Sequence, residues 1–196
     1  MRLVLATANS DKVGEIAAAL GPSFVLLPRP AGVPDVDETG STLEDNARLK
    51  AVALVEATGE AAVADDTGLE VDGLNGAPGV YSSRYAGEDA TYDDNVRKLV
   101  AALEGAGGEA RRARFRTVAL ARFPDGREVA AVGEVTGVIG PSPRGVHGFG
   151  YDPVFIPDEG DGRTFAEMTL AEKNALSHRG RAFRALAEAL TNPACQ

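Results

Sequence analysis

A chain of 196 residues is long enough to bury one substantial core, as a single domain or as two closely joined lobes. Its hydrophobic fraction of 44% and charged fraction of 25% are those of a soluble globular protein, and no apolar run is long enough to span a bilayer. The formal net charge of −9 opposes that of proteins that track a nucleic-acid backbone, so no nucleic acid and no membrane are expected as partners. A small anion is still admissible, because lysines, backbone amides and a metal can reverse the field inside one cleft.

In chain order, Met1 to Ala6 is too short for a signal peptide and reads as a first strand. A polar stretch, Thr7 to Lys12, leads into a helix whose inward face is expected to carry Val13, Ile16, Ala17 and Leu20, with Gly21-Pro22 as its stop. Phe24 to Leu27 is a second strand. Ser41-Thr42-Leu43-Glu44 has capping-box spacing and opens a helix to about Thr58, ended by Gly59. Ala61 to Ala64 forms a short strand into Asp65-Asp66-Thr67-Gly68, and Gly73 to Gly87 an ordered glycine-rich loop. Thr91 caps a helix to about Leu103. Phe115 to Phe123 and Glu128 to Ile139 form a long hairpin about Pro124-Asp125-Gly126-Arg127. Val154 to Ile156 is the last strand, and Thr169-Leu170-Ala171-Glu172 caps a helix running to Leu190.

Strand–helix alternation followed by a hairpin predicts an α/β fold with a mixed central sheet flanked by helices. There is no internal repeat and no Pro/Ser-rich linker, so residues 1–196 read as one domain. The single cysteine, Cys195, can form no internal disulfide, and the expected compartment is a reducing cytoplasm.

Five clusters can carry chemistry. Thr7-Ala8-Asn9-Ser10-Asp11-Lys12 lies between a strand and a helix, where unpaired N–H groups and the helix dipole favour an anion. Its donors and its lysine suit a polyphosphate; the same residues equally make an ordinary capped loop. It lacks the glycine-rich run of a Walker loop. Asp65 and Asp66 are adjacent on a strand and so point to opposite faces. Such a carboxylate can hold Mg2+ or deprotonate water, or it is a solvated turn.

The acidic loop Asp35-Val36-Asp37-Glu38 precedes Glu44, Asn46 and Lys50. Asn46 and Lys50 are four apart and share a helical face. Glu38 and Asp66 together would give a metal two carboxylates from separate segments, while Glu44 can equally be only a cap. Gly148-Phe149-Gly150-Tyr151-Asp152-Pro153 offers an aromatic ring flanked by glycines, open to a base, or a tight turn over a buried ring. Last come Lys173, Ser177, His178 and Arg179. In one unbroken helix Lys173 and Ser177 share a face and the other two diverge, so all four converge only if the helix breaks near Ser177. The Ser–His pair has no nucleophile elbow, which argues against a serine hydrolase. His147 has no second histidine at ligand spacing, which argues against zinc.

The order of these motifs is more specific than any one of them. Thr7-x-Asn9-x-x-Lys12, Glu38-Thr39-Gly40, Glu44-x-Asn46-x-x-x-Lys50, Ala64-Asp65-Asp66-Thr67-Gly68-Leu69, Gly76-Ala77-Pro78-Gly79, Phe149-Gly150-Tyr151-Asp152-Pro153 and Ser177-His178-Arg179 together resemble the dITP/XTP pyrophosphatases of the inosine triphosphatase family. The match runs from Arg2 to about Leu190. Two departures, Ala8 where glycine is common and Val146-His147 where smaller residues are usual, leave the motif residues in place.

The resemblance implies an elongated, two-lobed α/β fold with a central cleft, usually a homodimer. It implies Mg2+-dependent hydrolysis of the purine nucleoside triphosphates dITP, ITP and XTP to monophosphate and pyrophosphate. By the same resemblance Thr7, Ala8, Asn9, Ser10, Asp11 and Lys12 contact the triphosphate. Glu38 and Asp66 hold the metal, Asp66 is the proton acceptor and Thr67 touches substrate. Phe149, Gly150, Tyr151, Asp152, Lys173, His178 and Arg179 form the nucleoside pocket. With the metal, Lys12 and Lys50 would offset the charge of the tail. A pyrophosphatase for modified pyrimidine triphosphates and a nucleotide-sensing binding module are the alternatives. A nucleotide panel separates the first, and absence of pyrophosphate release the second.

Overall fold

A computed structural model describes residues 1–7 and 9–192. Its sheet has seven strands. Six follow the order β2-β1-β3-β5-β6-β7, and β4 lies beside β3. These are β1 (Arg2–Leu5), β2 (Val25–Leu27), β3 (Ala62–Val71), β4 (Pro78–Gly79), β5 (Arg112–Arg122), β6 (Glu128–Ile139) and β7 (Phe155–Pro157). The helices are α1 (Ser10–Leu20), α2 (Leu43–Thr58), α3 (Tyr92–Ala102), α4 (Leu170–Leu176) and α5 (His178–Thr191). β1 pairs in parallel with β2, Leu3 against Leu26, and with β3, Leu5 against Val63, the crossovers being α1 and α2. β4 and β7 pair antiparallel with β3 and β6, so the sheet is mixed as expected.

The chain divides into two compact units, and β3, β5 and β6 each contribute to both. The first comprises residues 1–66, 117–133 and 179–192, with Leu3, Leu5, Ile16, Val63, Phe183 and Leu186 in its core. The second comprises residues 67–116 and 134–178, built around Leu69, Leu99, Phe115, Ile139, Phe155 and Phe165.

Several element boundaries differ from the sequence expectation, each for a physical reason. β3 does not end at Ala64 but continues through Asp65 and Asp66, which are 3% and 5% exposed. Charge inside a strand is sustained here by ion pairs described below. β5 begins three residues before Phe115, because Arg112, Arg114 and Arg116 alternate with buried Ala113, Phe115 and Thr117 and pair outward with Asp158, Glu70 and Glu134. The α2 cap is Thr42, not Ser41: its hydroxyl accepts from the Asp45 N–H at 3.1 Å, so Glu44 is not the partner in a capping box. On α1 the inward stripe is Glu15, Ile16 and Leu20, and Val13 and Ala17 face outward. The C-terminal helix is two helices, broken at Ser177, whose backbone is extended at ψ 153°.

Candidate active site

In the first unit, the loop after β1 is closed by its own side chains. The Asn9 N–H donates to Thr7 Oγ1 at 3.1 Å, and Asn9 Oδ1 accepts from the N–H groups of Asp11 at 2.9 Å and Lys12 at 3.4 Å. Asn9 is therefore the cap of α1. Ser10 and Asp11 are exposed, and Ala8 lies outside the described residues. Lys12, on the first turn, sends its ammonium to within 3.4 Å of Asp65 Oδ2.

The two adjacent aspartates have different partners, as alternation along a strand requires. Asp65 meets Lys12 and Arg179, the latter at 3.3 Å. Burial pushes its carboxyl up, but Lys12, Arg179 and Lys50 together pull it down well below the usual carboxylate range. Asp66 accepts from Lys50 Nζ at 2.7 Å and from Asn46 Nδ2 at 3.4 Å. Those two donors are one helical turn apart on α2, so the shared face read from their spacing meets a single carboxylate. Burial raises the Asp66 pKa, an effect Glu38 reinforces and Lys50 only partly opposes.

Lys50 also reaches Glu38 at 2.9 Å. One ammonium thus marks the point where two carboxylates from separate segments converge. Burial would lower the Lys50 pKa, yet Asp66, Asp65 and Glu38 raise it, so the side chain is held charged. Lys12 behaves oppositely: burial lowers its pKa despite Asp65. Gly40 makes the bend beside Glu38 possible, since a Cβ there would lie 2.6 Å from Asn46 Oδ1, whose oxygen accepts the Gly40 N–H at 2.8 Å.

Thr7, Asn9, Lys12, Glu38, Lys50 and Asp65 line one hollow of about 340 Å³; Asp66 is not among its lining residues and is tied to it through Lys50. Arg29, Val33, Asp35 and Val36 from the loop after β2 add to its wall, with Ala6, Ala53 and Leu54. Arg29 carries no motif signal; its place follows from its ion pair with Asp35 and its 3.0 Å bond to the Val33 carbonyl.

In the second unit, Thr67 is half-buried on β3. The turn at Gly148 brings Phe149 N–H to 2.8 Å from Asp152 Oδ2, and the same oxygen is paired with the Lys173 ammonium. That ammonium stands 4.8 Å from the centre of the Phe149 ring. Phe149 is only partly buried, and Tyr92 packs against it with centroids 5.8 Å apart. Gly150 follows at φ 61°. The Tyr151 ring is in the core and its hydroxyl donates to the Ser82 carbonyl at 2.9 Å. His178 is buried and stacks on Phe115 at 4.4 Å.

The helix does break at Ser177, the condition set for all four residues to converge, and Lys173 and His178 both lie against Phe165. Arg179 goes elsewhere. The residue is 2% exposed, and its guanidinium is bound to Glu15 and Asp65 in the first unit. Glu15, a buried acid on the α1 stripe, has no counterpart in a hydrophobicity pattern; only its place one turn after Lys12 signals it.

The chain has relatives along nearly its whole length. The Ham1 family model matches residues 3–189. The chain belongs to the Ham1 family. A dITP/XTP pyrophosphatase of Streptomyces coelicolor is 48% identical over 190 residues, covering 94% of each chain, and one of Escherichia coli O157:H7 is 45% identical over 196 residues, covering 97% of this chain and 98% of that one. Among solved structures, a HAM1 protein from Coxiella burnetii superimposes with a TM-score of 0.88 at 42% identity, covering 97% of this chain and 98% of the other. These Ham1 neighbours share the mixed α/β fold.

Proposed function

We propose that this Ham1 protein hydrolyses non-canonical purine nucleoside triphosphates, dITP, ITP and XTP, to the monophosphate and pyrophosphate, with Asp66 as base and Mg2+ as cofactor. The observation that carries the reading is the meeting of Glu38 and Asp66 on Lys50, at 2.9 and 2.7 Å, beside a hollow that Lys12 also lines.

Hard oxygen donors from two segments suit Mg2+, which takes one or two carboxylates and fills its remaining positions with phosphate oxygens and water. Among the described residues there is no group of three or more His, Cys, Asp or Glu to cage a metal, which fits an ion completed by substrate. When bound, Mg2+ supplies positive charge against the repulsion between an attacking water and the tail. Thr7 and Ser10 through their hydroxyls and Asn9 through its side-chain amide N–H receive phosphate oxygens at the positive end of α1, where Asn9 Oδ1 already takes the N–H groups of Asp11 and Lys12. Asp66 takes the proton of the attacking water, a task helped by the burial that makes it more basic. Lys12 and Lys50 neutralise the charge that builds on the departing pyrophosphate.

Phe149 offers its ring to the purine, and Asp152 with Lys173 fixes that ring's turn. A 6-keto oxygen accepts hydrogen bonds, and donors here are His178 and the main-chain N–H at the start of α5. Adenine presents an amino group instead, so donors face donors; sites built this way discriminate by up to roughly 10⁴–10⁵-fold. The reading includes a cytoplasmic homodimer. Among the described residues no helix is long and apolar enough to cross a membrane.

A nucleotide panel with and without Mg2+ tests it. Pyrophosphate release from dITP, ITP and XTP, weak release from dATP and loss on chelation are expected; weak release from dGTP is expected too, and requires a second feature acting on its 2-amino group, because guanine shares the 6-keto oxygen. Equal rates on all purines, or preference for a modified pyrimidine, would overturn the base assignment.

A further inference from the structure

Behind the phosphate-facing lysine lies a chain of four alternating charges within the first unit. Lys12 Nζ is 3.4 Å from Asp65 Oδ2; the same oxygen is 3.3 Å from Arg179 Nε; and Arg179 Nη1 is 2.5 Å from Glu15 Oε2. The side chains of Asp65, Arg179 and Glu15 are 1%, 3% and 3% exposed, while Lys12 is 22% exposed and lines the hollow. Three members are thus sealed from water, and the fourth lines the hollow.

We propose that Glu15 is a positioning residue that sets the place of the Lys12 ammonium through Arg179 and Asp65. This rests on the reading that Lys12 binds a polyphosphate. Asp65 stands between two cations and is shared by them. Glu15 takes part of the Arg179 charge, so Asp65 is left available to Lys12. Without that carboxylate, a guanidinium that cannot lose its proton draws Asp65 toward itself. The 3.4 Å link to Lys12 is the longest of the series and ends on its most exposed member, so it yields first. Glu15 and Lys12 also stand one turn apart on α1, and the same acid therefore fixes the helix that presents the lysine.

A merely structural Glu15 would balance the buried Arg179 and have no particular link to Lys12. A double-mutant cycle separates the two roles. The dissociation constant for pyrophosphate by calorimetry and the kcat and KM for dITP are measured for wild type, Glu15→Gln, Lys12→Met and the double variant. Glu15→Gln is expected to weaken pyrophosphate binding and raise KM by about 10-fold, the scale of one charge-assisted hydrogen bond. In the Lys12→Met background the same change is expected to add almost nothing. Effects that multiply in the double variant would overturn the proposal. If Glu15→Gln does not fold, Glu15→Asp carries the same cycle: it keeps the charge, withdraws it by one methylene, and is expected to give a smaller rise that also vanishes with Lys12→Met. Failure of the wild type to bind pyrophosphate or cleave dITP would instead sink the reading of the site, a result distinct from multiplicative effects in an active enzyme.

Discussion

Lys50 Nζ lies 2.7 Å from Asp66 Oδ1, so the residue proposed as base carries its own counter-ion on the neighbouring helix. The pair is nearly closed to solvent, with side chains 16% and 8% exposed. A lysine in this position keeps a buried, basic carboxylate ionised, and near-isosteric changes of either partner should separate charge from shape.

Replacing Asp66 by Asn keeps the volume and the bond from Asn46 but removes the proton acceptor. Turnover of dITP is expected to fall by about 10²–10⁴-fold, the range typical of a lost general base. A folded Asp66→Asn protein with near-normal turnover would remove the assignment.

The pH profile follows from the same pair. Burial raises the Asp66 pKa, and the proposed mechanism needs Asp66 deprotonated, so kcat/KM at fixed Mg2+ should fall as pH drops through a midpoint above the ordinary carboxylate value of about 3.9. Lys50 opposes the shift, so Lys50→Met should move that acid limb to higher pH. A limb that stays in place would show that another group titrates.

Asp65 has the opposite sign. Its pKa is depressed in the folded protein, so it stabilises the fold fully above the unfolded carboxylate value of about 3.9, and that contribution is lost as pH falls toward the folded value. Urea midpoints should hold from pH 7 to about pH 5 as far as Asp65 is concerned and decline below that, and Asp65→Asn should start less stable and decline less steeply in the acid range. Parallel curves would contradict this.

Gly148 has φ 69°, and a Cβ built there would lie 2.1 Å from Asp152 Oδ2. Gly148→Ala is expected to destabilise by about 1–3 kcal/mol through backbone strain and displacement of Asp152 from Lys173, read as a lower unfolding midpoint. Phe149→Ala leaves that turn intact and should act on substrate instead, raising KM for dITP by roughly 5–100-fold if its ring stacks on the purine.

Much of this was legible in the sequence because it depends on local spacing. Asn46 and Lys50, four apart, do meet at Asp66, and adjacent Asp65 and Asp66 do take different partners. Strand β6 has the bounds that its alternation predicts. Hydrophobic patterning was blind where a charged residue is buried against a partner far along the chain. Glu15 displaced Val13 and Ala17 from the inner stripe of α1 because Arg179, 164 positions later, binds it. Arg114 and Arg116 hid the start of β5 for a similar reason: their partners Glu70 and Glu134 lie on other strands. The break at Ser177 was foreseen only as a condition, since nothing in the local sequence forces an extended residue there.

The most direct measurement is of products. Purified protein incubated with dITP and Mg2+ is expected to yield one pyrophosphate per dIMP, with no orthophosphate. Orthophosphate with dIDP, or tight binding of dITP without release of pyrophosphate, would contradict the assignment of Lys12, Lys50, Glu38 and Asp66 to cleavage between the α and β phosphates.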